Sequence, residues 1–539
     1  MVCRVVVDKE SYPYLEKRGK VARLYEYQGK SLLQKHGITI PSGKVAESVA
    51  EVRQIVAQLG VPVVMKIQVW ATGRAELGGI QFADSLQEAA QKAERLFGMQ
   101  VKNFVVNKLL VEEKLAIENE VYAGIIIDDT LGQPVILFSS VGGTGIEDIA
   151  RRYPDKVAKW PIDVLEGLRD YQARNLVRRT GIGGKLQMRL ADVLVKLWEV
   201  VRTYEARAAE INPLVVTKDG KVCAADCRIT IDDYAVFRHP ELDIEIAREF
   251  DRPPTKLDKI AYNVEKNDYR GTFYFIQLED GFKKGEGYIG FHGAGGGGSM
   301  MSMDAVTRQG FKIANFTDTS GNPPASKVYR AAKIILAQRN IDAYFGSGSG
   351  VASQEQFHSA RGLVKAFREE NLSIPAVIRL GGNQEDLAVE ILTQYTRDLP
   401  APVEGYKKDD SADFCAQRLR QLVDEYRPSE SLKPFPQRPA PKQPYSFKTL
   451  TGTVIFDHAR CAACESKICI QACSPKILKL EDDKPILAIS EDDAQKGKCT
   501  ECLACELECE FHGNKGVYVD LPIPGLKEYL QERETSQTR

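Results

Sequence analysis

The sequence of 539 residues lacks three features that would point to a membrane, to secretion or to nucleic acid. No run approaches the ~18 uncharged apolar residues of a membrane-spanning helix, so we predict no membrane span. The first ten residues, MVCRVVVDKE, lack the apolar core of a secretory signal, so we expect a cytoplasmic protein. The 73 basic and 74 acidic side chains leave a formal charge of −1, which gives no reason to expect nucleic acid as a partner.

Composition and length indicate a globular protein of several domains. Hydrophobic residues make up 43% and charged residues 27% of the chain, which excludes wholesale disorder and collagen-like repeats. A chain of 539 residues exceeds what one core supports, so we expect roughly three to five domains. Six prolines lie between Pro428 and Pro444, and such a stretch is stiff and extended. We expect it to tether a body of about 427 residues to a small tail module.

Cysteine is scarce in the body and dense in the tail. Of the 12 cysteines, eight lie between Cys461 and Cys509. The other four are scattered at Cys3, Cys223, Cys227 and Cys415. Because a cytosolic protein keeps its thiols reduced, the dense group indicates metal binding rather than disulfides.

The eight tail cysteines fall into two runs with iron–sulfur spacing. The second run, Cys-x2-Cys-x2-Cys-x3-Cys, has the spacing of bacterial two-cluster ferredoxins, in which the fourth cysteine of each run binds the other cluster. The first run differs by x4 in place of the second x2. The pattern predicts two 4Fe–4S clusters in a small α+β ferredoxin-like domain. The expected ligands are Cys461, Cys464, Cys469 and Cys509 for the first cluster, and Cys473, Cys499, Cys502 and Cys505 for the second.

A zinc ribbon is the alternative for this module. Zinc ribbons need four cysteines per metal in two Cys-x2-Cys pairs, and the two Cys-x3-Cys extensions argue against that pattern. Spacing leaves open whether the clusters carry electrons or brace a fold. From Lys448 to Arg539 the chain holds 12 basic and 16 acidic side chains, a mild acidity that would suit docking to a basic redox partner or serve solvation.

The body alternates predicted strands and helices, and becomes regular beyond about Thr272. There four predicted strands each lead into a glycine-rich loop and a helix, which indicates a doubly wound parallel sheet. Glycine lets backbone N–H groups approach an anion, and the helix that follows adds a positive partial charge. Four such loops at one edge predict a ligand site, the alternative being simple tight turns.

In the first part of the body, three predicted elements carry candidate residues. Leu24–Gly37 has the periodicity of an amphipathic helix, and the β-branched run Val61–Val69 that of a strand. Lys66 on this strand could neutralise nucleotide phosphates, or it is simply a solvated lysine. Asn212 and Asp226 lie on two strands that the turn Lys218–Gly220 would pair, which brings together an amide and a carboxylate, oxygen ligands that suit Mg²⁺. The alternative is a turn-capping asparagine and a surface aspartate.

Several motifs occur in an order that resembles a known enzyme family. They are LYEYQGK (24–30), VMKIQV (64–69), Gly73-Arg74 with Gly78-Gly79, LVE (110–112) and EINPL (210–214). Together they look like the β subunit of ADP-forming succinyl-CoA synthetase, an ATP-grasp ligase, over roughly residues 24–426. The implied fold is α/β, with an ATP-grasp domain (24–250) and a flavodoxin-like parallel CoA-ligase domain (262–427). Around these we expect an N-terminal extension (1–23), a proline-rich linker (428–447), the ferredoxin domain (448–521) and a tail (522–539).

The resemblance also implies roles for single residues. Glu210 matches the glutamate that orients the family's catalytic histidine, and Asn212 and Asp226 match its magnesium ligands. The positions that match nucleotide-binding residues are Lys66, Gly73, Arg74, Glu112, Leu115 and Glu120. The positions that match the acid-binding loops are His292, Gly293, Gly350, Val351 and Ala352.

Three departures from the family pattern concern the phosphate and acid loops. The family's Gly-Arg-Gly-Lys is here Gly73-Arg74-Ala75-Glu76, and its acid-site asparagine is here His292, followed by a longer glycine run. Its Asp-Val-Gly-Gly-Gly loop is replaced by residues 318–324, DTSGNPP. Because these changes lie mostly at the acid site, we expect a small carboxylic acid other than succinate. His292 would pair with that carboxylate or reshape the pocket, unless it is only a capping or loop histidine.

The resemblance implies a partner chain as well. In that family a separate α subunit carries the phosphorylated histidine and most of the CoA site, and none of the six histidines here stands in its Gly-His-Ala-Gly-Ala context. We therefore predict the ATP/ADP- and Mg²⁺-binding β subunit of an acid–CoA ligase with an appended electron-transfer module. The alternative is an iron–sulfur subunit of an oxidoreductase complex whose ligase body is repurposed for acyl-CoA handling or docking.

Overall fold

The computed structural model describes residues 22–71, 73–142, 146–248, 250, 252–268, 273–348, 350, 352–427 and 439–537. Three sequence predictions therefore fall wholly or largely outside the described residues: the extension 1–23, the acid-loop residue Val351 and much of the linker 428–447. The chain divides into two compact units, Met1–Pro254 and Thr255–Arg539. No helix in the described part of the chain is long and apolar enough to cross a membrane.

The first unit is built on two antiparallel sheets. One has the strand order β1-β6-β2-β3, and the other the order β11-β10-β7-β8-β9, with β12 also paired to β10. A short β4-β5 hairpin stands apart from both sheets. The strands are β1 (Gly43–Ala46), β2 (Val63–Ile67), β3 (Ile80–Ala83), β4 (Gln100–Val101), β5 (Phe104–Val105), β6 (Leu109–Glu113), β7 (Ile117–Asp128), β8 (Gln133–Ser139), β9 (Val157–Pro161), β10 (Ala206–Thr217), β11 (Val222–Ala224) and β12 (Cys227–Ile231). The helices are α1 (Glu26–Lys35), α2 (Val49–Leu59), α3 (Leu86–Leu96), α4 (Ile146–Arg152), α5 (Asp170–Arg179) and α6 (Gly184–Tyr204).

The core of the first unit lies under its longest helix. Buried apolar residues recur along α6 with helical spacing at Leu190, Leu194, Leu197 and Val201, as an amphipathic helix on a sheet requires. The predicted hairpin is also present, since Leu214 on β10 pairs with Ala224 on β11. Among the candidate site residues, Lys66 lies on β2, Asn212 lies on β10 of this hairpin, and Asp226 follows β11.

The second unit contains the parallel sheet that the sequence predicts. Its strand order is β13-β15-β14-β16-β17-β18, in which the five parallel strands follow the flavodoxin-like order 2-1-3-4-5 and β13 is an antiparallel edge. The strands are β13 (Tyr274–Gln277), β14 (Tyr288–Ala294), β15 (Lys312–Asp318), β16 (Ala343–Gly348), β17 (Ala376–Arg379) and β18 (Val403–Tyr406). The helices are α7 (Lys256–Glu265), α8 (Gly296–Arg308), α9 (Ala325–Leu336), α10 (Phe357–Glu369), α11 (Glu385–Thr396) and α12 (Ala412–Glu425).

The cysteine module belongs to the same unit and has its own small sheet, β19-β20-β23, and a hairpin, β21-β22. Its strands are β19 (Pro444–Lys448), β20 (Thr453–Asp457), β21 (Leu478–Glu481), β22 (Lys484–Leu487) and β23 (Val517–Asp520). Its helices, followed by the C-terminal helix α17, are α13 (His458–Ala462), α14 (Ile468–Gln471), α15 (Glu491–Asp493), α16 (Ala504–His512) and α17 (Leu526–Gln537).

One hydrophobic core runs from the parallel sheet domain into the cysteine module. Phe447, Phe456 and Leu507 of the module belong to the same buried cluster as Ile335 and Phe367 of the sheet domain. The sequence led us to expect two parts joined only by a proline-rich tether. Within the second unit they are instead packed together, because the module presents apolar side chains to helices of the sheet domain. The predicted domain boundaries themselves stay predictions.

Candidate functional site

Six charged side chains meet in the interior of the first unit, and we name them the first charge cluster. They are Glu26 and Lys30 on α1, Lys66 on β2, Arg74 in the turn after β2, Glu112 on β6 and Asp226 between β11 and β12. The cluster thus brings together four residues that the sequence predicted for nucleotide and metal binding, and two that it did not.

Glu26 is the central carboxylate of this cluster because it pairs with three cations. Its Oε1 lies 2.8 Å from Nζ of Lys30 and 2.9 Å from Nζ of Lys66, and its Oε2 lies 2.9 Å from a guanidinium nitrogen of Arg74. Glu112 pairs with the same two lysines, at 2.5 Å from Lys30 and 3.0 Å from Lys66. Each lysine therefore lies between two carboxylates.

Arg74 joins this arrangement to the candidate metal ligand Asp226. One guanidinium nitrogen donates to both oxygens of Asp226, at 2.9 and 2.7 Å, and another donates to the carbonyl of Ile67 at 3.1 Å. Gly73 begins the turn that carries Arg74 with a φ of 72°, a left-handed conformation that favours glycine. With Asp226 included, three carboxylates face three cations.

Because much of this cluster is buried, its side chains keep their charges only through ion pairs. Lys66 is 7% exposed and Glu112 only 1%. Burial alone would raise the pKa of Glu26, but Lys66, Lys30 and Arg74 hold that pKa far below its usual range. Burial likewise disfavours the charge on Lys66, yet Glu26 and Glu112 raise its pKa. Burial raises the pKa of Asp226 to about 6, and the Glu26 charge adds to this, against the opposing effect of Arg74.

The candidate metal ligands Asn212 and Asp226 are neighbours, as the predicted hairpin requires. The N–H of Asn212 donates to the Asp226 carbonyl at 3.2 Å. The side-chain Nδ2 of Asn212 points towards Oε1 of Glu210 at 3.4 Å, and its Oδ1 is buried with no hydrogen-bond partner among the described residues. A buried acceptor without a donor is costly unless a ligand satisfies it. An amide oxygen beside a carboxylate therefore fits a hard cation such as Mg²⁺.

The other candidate residues of the first unit are not members of the first charge cluster. Glu210 lies on β10 two residues before Asn212, and side chains two apart on a strand share a face. Glu120 lies exposed on β7, opposite Val215 of β10. Leu115 is half-buried in the turn between β6 and β7. Among the described residues, no hydrogen bond or ion pair joins Glu120 or Leu115 to the first charge cluster. Their nucleotide roles therefore stay predictions.

Glu26 and Lys30 were missed because the four-residue spacing of two opposite charges is typical of an exposed helix face. The signal that could have revealed them is Gly29 between them. A Cβ on Gly29 would lie 2.8 Å from Sγ of Cys227, so only glycine lets this face of α1 approach β12 so closely. A charged pair around such a glycine is buried rather than solvated.

The predicted acid-binding residues lie at the carboxyl ends of β14 and β16. His292 and Gly293 are part of strand β14 itself, not of the loop after it, because the ladder to β16 continues through Ala294. Gly293 is required, since a Cβ there would lie 2.9 Å from the Thr317 carbonyl oxygen and closer still to Ser299. The N–H of Gly295, which the sequence predicted as an anion donor, donates to Oδ1 of Asp318 at 2.9 Å.

His292 is buried and has a hydrogen-bond partner at each ring nitrogen. Its Nδ1 lies 2.6 Å from the hydroxyl of Tyr344, and its Nε2 lies 3.2 Å from Oγ1 of Thr319. Thr319 donates its own proton to the Gly293 carbonyl, so Thr319 accepts from Nε2 and Tyr344 donates to Nδ1. Burial lowers the pKa of His292 to about 4, so the ring is neutral near pH 7. It therefore offers no positive charge to a carboxylate.

The other acid-loop candidates lie where two glycine-containing loops contact each other. Gly350 has a φ of 77°, and Ala352 forms a parallel bridge with Gly382. A Cβ on Gly382 would lie 2.8 Å from the Ala352 carbonyl oxygen. The loops after β16 and β17 therefore pack directly against each other at this edge.

The eight module cysteines separate into the two groups that their spacing predicted. All are free thiols. In the first group, Cys469 lies close enough to Cys509, Cys461 and Cys464 to interact with them electrostatically. The second group, formed by Cys473, Cys499, Cys502 and Cys505, lines one cavity. Among the described residues, no three His, Cys, Asp or Glu side chains converge closely enough to hold one metal ion.

Backbone N–H groups point at several of these sulfurs. The N–H of Gly516 donates to Sγ of Cys509 at 3.2 Å, and those of Lys476, Ile477 and Leu478 interact with Cys473. Donors aimed at sulfur stabilise a metal-bound thiolate, and hydrogen bonds of this kind surround iron–sulfur clusters. Free thiols in two groups of four with such donors fit two 4Fe–4S clusters.

Comparisons with known proteins show the family of this chain. A family model described as an ATP-grasp domain matches residues 23–216. The β subunit of the GDP-forming succinate–CoA ligase of Thermus thermophilus is 38% identical over 370 residues, 68% of this chain and 93% of that protein. The ADP-forming β subunit 2 of Archaeoglobus fulgidus is 37% identical over 379 residues, 70% and 94% of the two chains.

Among solved structures, the fold is similar to that of ATP citrate lyase from Methanothrix soehngenii in complex with citrate and coenzyme A. The TM-score is 0.61 with 19% identity, over 75% of this chain and 99% of that chain. At this identity the likeness concerns the fold alone. The relatives at 37–38% identity, each matched over more than nine-tenths of its own length, decide the family. The chain belongs to the succinate–CoA ligase β-subunit family of ATP-grasp acid–thiol ligases.

Proposed function

We propose that this chain is the nucleotide- and Mg²⁺-binding β subunit of an ADP-forming acid–CoA ligase that works with a separate α subunit. The observation that carries the proposal is the first charge cluster beside the unpaired Oδ1 of Asn212. Three cations balance three carboxylates next to an unsatisfied acceptor, and four of the six side chains are buried while Arg74 and Asp226 are half-buried. This arrangement suits a site that exchanges internal ion pairs for a charged ligand. Relatives named as β subunits support the expectation of an α subunit.

The residues of the cluster would change partners when a nucleotide and its cation enter. Asn212 and Asp226 would hold Mg²⁺, which neutralises phosphate charge when bound. For Asp226 to bind a cation, it must release the guanidinium of Arg74, which now pairs with it at 2.7 Å. Arg74 would then be free to turn towards phosphate oxygens together with Lys66, while Glu26 and Glu112 keep Lys30 in place. Phosphoryl transfer depends mainly on such positioning and charge stabilisation.

Glu210 would act towards the partner chain. It lies on the same face of β10 as Asn212, and its carboxylate is near the Asn212 amide. A carboxylate there can accept the N–H of an incoming imidazole and so hold that ring beside the nucleotide. This matches the role of orienting the α-subunit histidine that becomes phosphorylated. CoA would bind mainly to the α subunit.

The acid is proposed to be a small carboxylic acid other than succinate. His292 replaces the asparagine of the resembled acid site, and both of its ring nitrogens are already bonded. Asp318 satisfies the N–H groups of Gly295 and Ser320, which leaves fewer donors for a carboxylate at this edge. A pocket with these changes would discriminate against succinate by leaving one of its carboxylates without donors.

We further propose that the cysteine module holds two 4Fe–4S clusters, with Cys461, Cys464, Cys469 and Cys509 on one and Cys473, Cys499, Cys502 and Cys505 on the other. When bound, such clusters supply one-electron transfer. The mildly acidic module would meet a basic redox partner. The alternative function, an iron–sulfur oxidoreductase subunit with a repurposed ligase body, keeps the clusters but predicts no nucleotide turnover.

The test is an ADP-formation assay on the full chain purified anaerobically with its co-expressed α subunit. We expect Mg²⁺-dependent ADP formation from ATP, CoA and at least one acid in a broad panel, with succinate a poor substrate. Lys66→Ala and Asp226→Ala should abolish turnover and leave the iron–sulfur absorbance unchanged. The matched control is Lys44→Ala, an exposed lysine on β1 of the same sheet as Lys66. Full turnover in the first two variants would overturn the site assignment, and no ADP with any acid would favour the oxidoreductase.

A further inference from the structure

A second group of buried charges lies where helix α10 of the parallel sheet domain meets helix α16 of the cysteine module. Lys365 on α10 is 2% exposed, and its Nζ lies 2.8 Å from Glu506 on α16 and 2.8 Å from Glu369 on its own helix. The ammonium also faces the rings of Tyr518, at 4.3 Å, and Tyr329, at 5.3 Å. We name these five residues the second charge cluster. It crosses the boundary between the two parts of the second unit.

Glu506 is next to a cysteine of the second group. It follows Cys505 directly on α16, so its carboxylate is fixed near that thiol. Its Oε1 accepts a hydrogen bond from the Lys365 ammonium, and its Oε2 accepts one from the N–H of Val519 at 3.1 Å. Both oxygens thus have partners, and the helix that carries Cys505 and Cys509 is attached to α10 through one ion pair.

A second connection reaches the same cysteine group from helix α9. Glu501, between Cys499 and Cys502, is 2% exposed, and its carboxylate accepts from the Thr449 and Thr451 hydroxyls and from the Thr451 N–H, at 2.6 to 2.7 Å. Arg330 on α9 donates to the Thr451 carbonyl at 2.9 Å and to the Pro522 carbonyl at 3.1 Å. Glu501 also has a φ of 51°, which these bonds hold in place.

We infer that Lys365 and Arg330 of the ligase domain are positioning residues for the second four-cysteine site, and that they set the electrostatic environment of the cluster bound there. This rests on the proposed iron–sulfur function. Lys365 pairs directly with Glu506, which follows Cys505. Arg330 instead donates to the carbonyl of Thr451, the residue whose N–H and hydroxyl bind Glu501 between Cys499 and Cys502. The module is thus a redox centre fitted to this ligase domain rather than an independent ferredoxin.

The physical reason is the low dielectric constant of this interface. Removing two charges from water costs several kcal/mol, and an apolar pair of the same size would often pack at least as well. Packing alone therefore does not explain Lys365 and Glu506. Inside the protein, however, a charge is felt over a longer distance than in water. Since reduction adds an electron to a cluster, a nearby cation favours the reduced form and a nearby carboxylate disfavours it.

The test is an EPR-monitored redox titration of the full chain with its α subunit, in the wild type and in three variants. Lys365→Met should shift the midpoint potential of one cluster to more negative values, and Glu506→Gln should shift it to more positive values. The double variant Lys365→Met/Glu506→Gln should lie between the two, and it also covers the case in which Lys365→Met alone fails to fold. The other cluster should shift less, because Glu506, the partner of Lys365, interacts electrostatically with Cys505 of the second group.

The matched control is Lys496→Met. Lys496 is three residues before Cys499 and pairs with Asp492, but this pair is exposed to solvent and is screened. We expect no shift in this variant. If Lys496→Met moves the potential as much as Lys365→Met, or if neither Lys365→Met nor Glu506→Gln moves it, the inference is wrong while the iron–sulfur function stands. Wild-type protein without iron and without an EPR signal would overturn the iron–sulfur function, and this inference with it.

Discussion

The two charge clusters contain similar charged groups but have different roles. In the first, three cations and three carboxylates from five segments of the first unit form ion pairs with one another, beside the unsatisfied oxygen of Asn212. In the second, Lys365 and its two carboxylates also have neutral donors, the Tyr329 hydroxyl on Glu369 and the Val519 N–H on Glu506, and Lys333 lies 3.6 Å from Glu369. The first cluster is therefore open to an incoming ligand, whereas the second is closed and acts as a joint.

This difference shows how to distinguish a functional from a structural buried ion pair. Both clusters are equally well paired, so pairing alone decides nothing. What separates them, among the described residues, is whether the oxygen without a hydrogen bond has an ion-pair partner. Asn212 Oδ1 beside the first cluster has none, whereas Glu369 Oε1 in the second lies 2.8 Å from the Lys365 ammonium.

The largest effect on stability is expected for Glu26→Gln in the first charge cluster. The change leaves Lys30, Lys66 and Arg74 with one positive charge too many in a buried place. Removing one partner of a buried ion pair typically costs 3–5 kcal/mol, so we expect the free energy of unfolding of the first unit to fall by about that amount. Equilibrium denaturation in urea measures it.

The control for this prediction is Glu118→Gln, since Glu118 is exposed on β7 of the same unit. An exposed carboxylate away from such features should change stability by less than about 0.5 kcal/mol. Equal effects of the two variants would show that the first charge cluster is not a stabilising network. A smaller loss in the presence of Mg²⁺ and ATP would support exchange of the internal pairs for the ligand.

A slightly smaller effect is expected for Tyr395→Ala, which tests the neutral part of the joint in the second unit. Tyr395 on α11 stacks on Phe511 of α16 with ring centroids 3.9 Å apart, and its hydroxyl donates to Glu508 at 3.3 Å. Removal of a buried aromatic ring costs about 3 kcal/mol or more. Hydrogen exchange of residues 504–512 should therefore become faster than in the wild type.

Tyr395→Phe separates stacking from hydrogen bonding in this contact. It keeps the ring and loses only the bond to Glu508, which is worth about 1 kcal/mol. If Tyr395→Phe loosens α16 as much as Tyr395→Ala does, polar contacts rather than packing hold the module on the ligase domain. Unchanged exchange in both variants would show that Lys365 and Glu506 suffice.

The sequence predicted the order of strands and helices better than the packing between the domains. The regular alternation of strands and helices predicted four strands of a parallel sheet, because crossovers between parallel strands follow strict rules, and the flavodoxin-like order was implied by the family resemblance. It did not predict β18, a short half-buried strand, or the packing of the module on α10 and α11. That packing depends on single residues such as Lys365 and Tyr395, which look like ordinary positions of amphipathic helices.

For the candidate site, motif resemblance located Lys66, Arg74, Glu112 and Asp226, and the structure brings these four together. Spacing alone also predicted the two cysteine groups, since ligand spacing is a local property of the chain. Glu26 was not predicted as a member, because its partners Lys66 and Arg74 lie 40 or more residues away along the chain. Contacts of that kind depend on tertiary structure.

The smallest effect concerns His292, a buried titratable group that has no charged partner among its two hydrogen bonds. Burial lowers its pKa to about 4, whereas in the unfolded chain it is about 6.5. Between these values the unfolded state binds more protons, so stability falls as the pH falls. From about pH 7.5 to about pH 5.5 we expect the second unit to lose about 1 kcal/mol through this histidine. His292→Asn, which does not titrate, should lack that part of the pH dependence in denaturation curves. Identical pH dependence in the variant and the wild type would mean that folding does not lower the pKa of His292, so the folded protein would take up this proton near about pH 6.5, as the unfolded chain does.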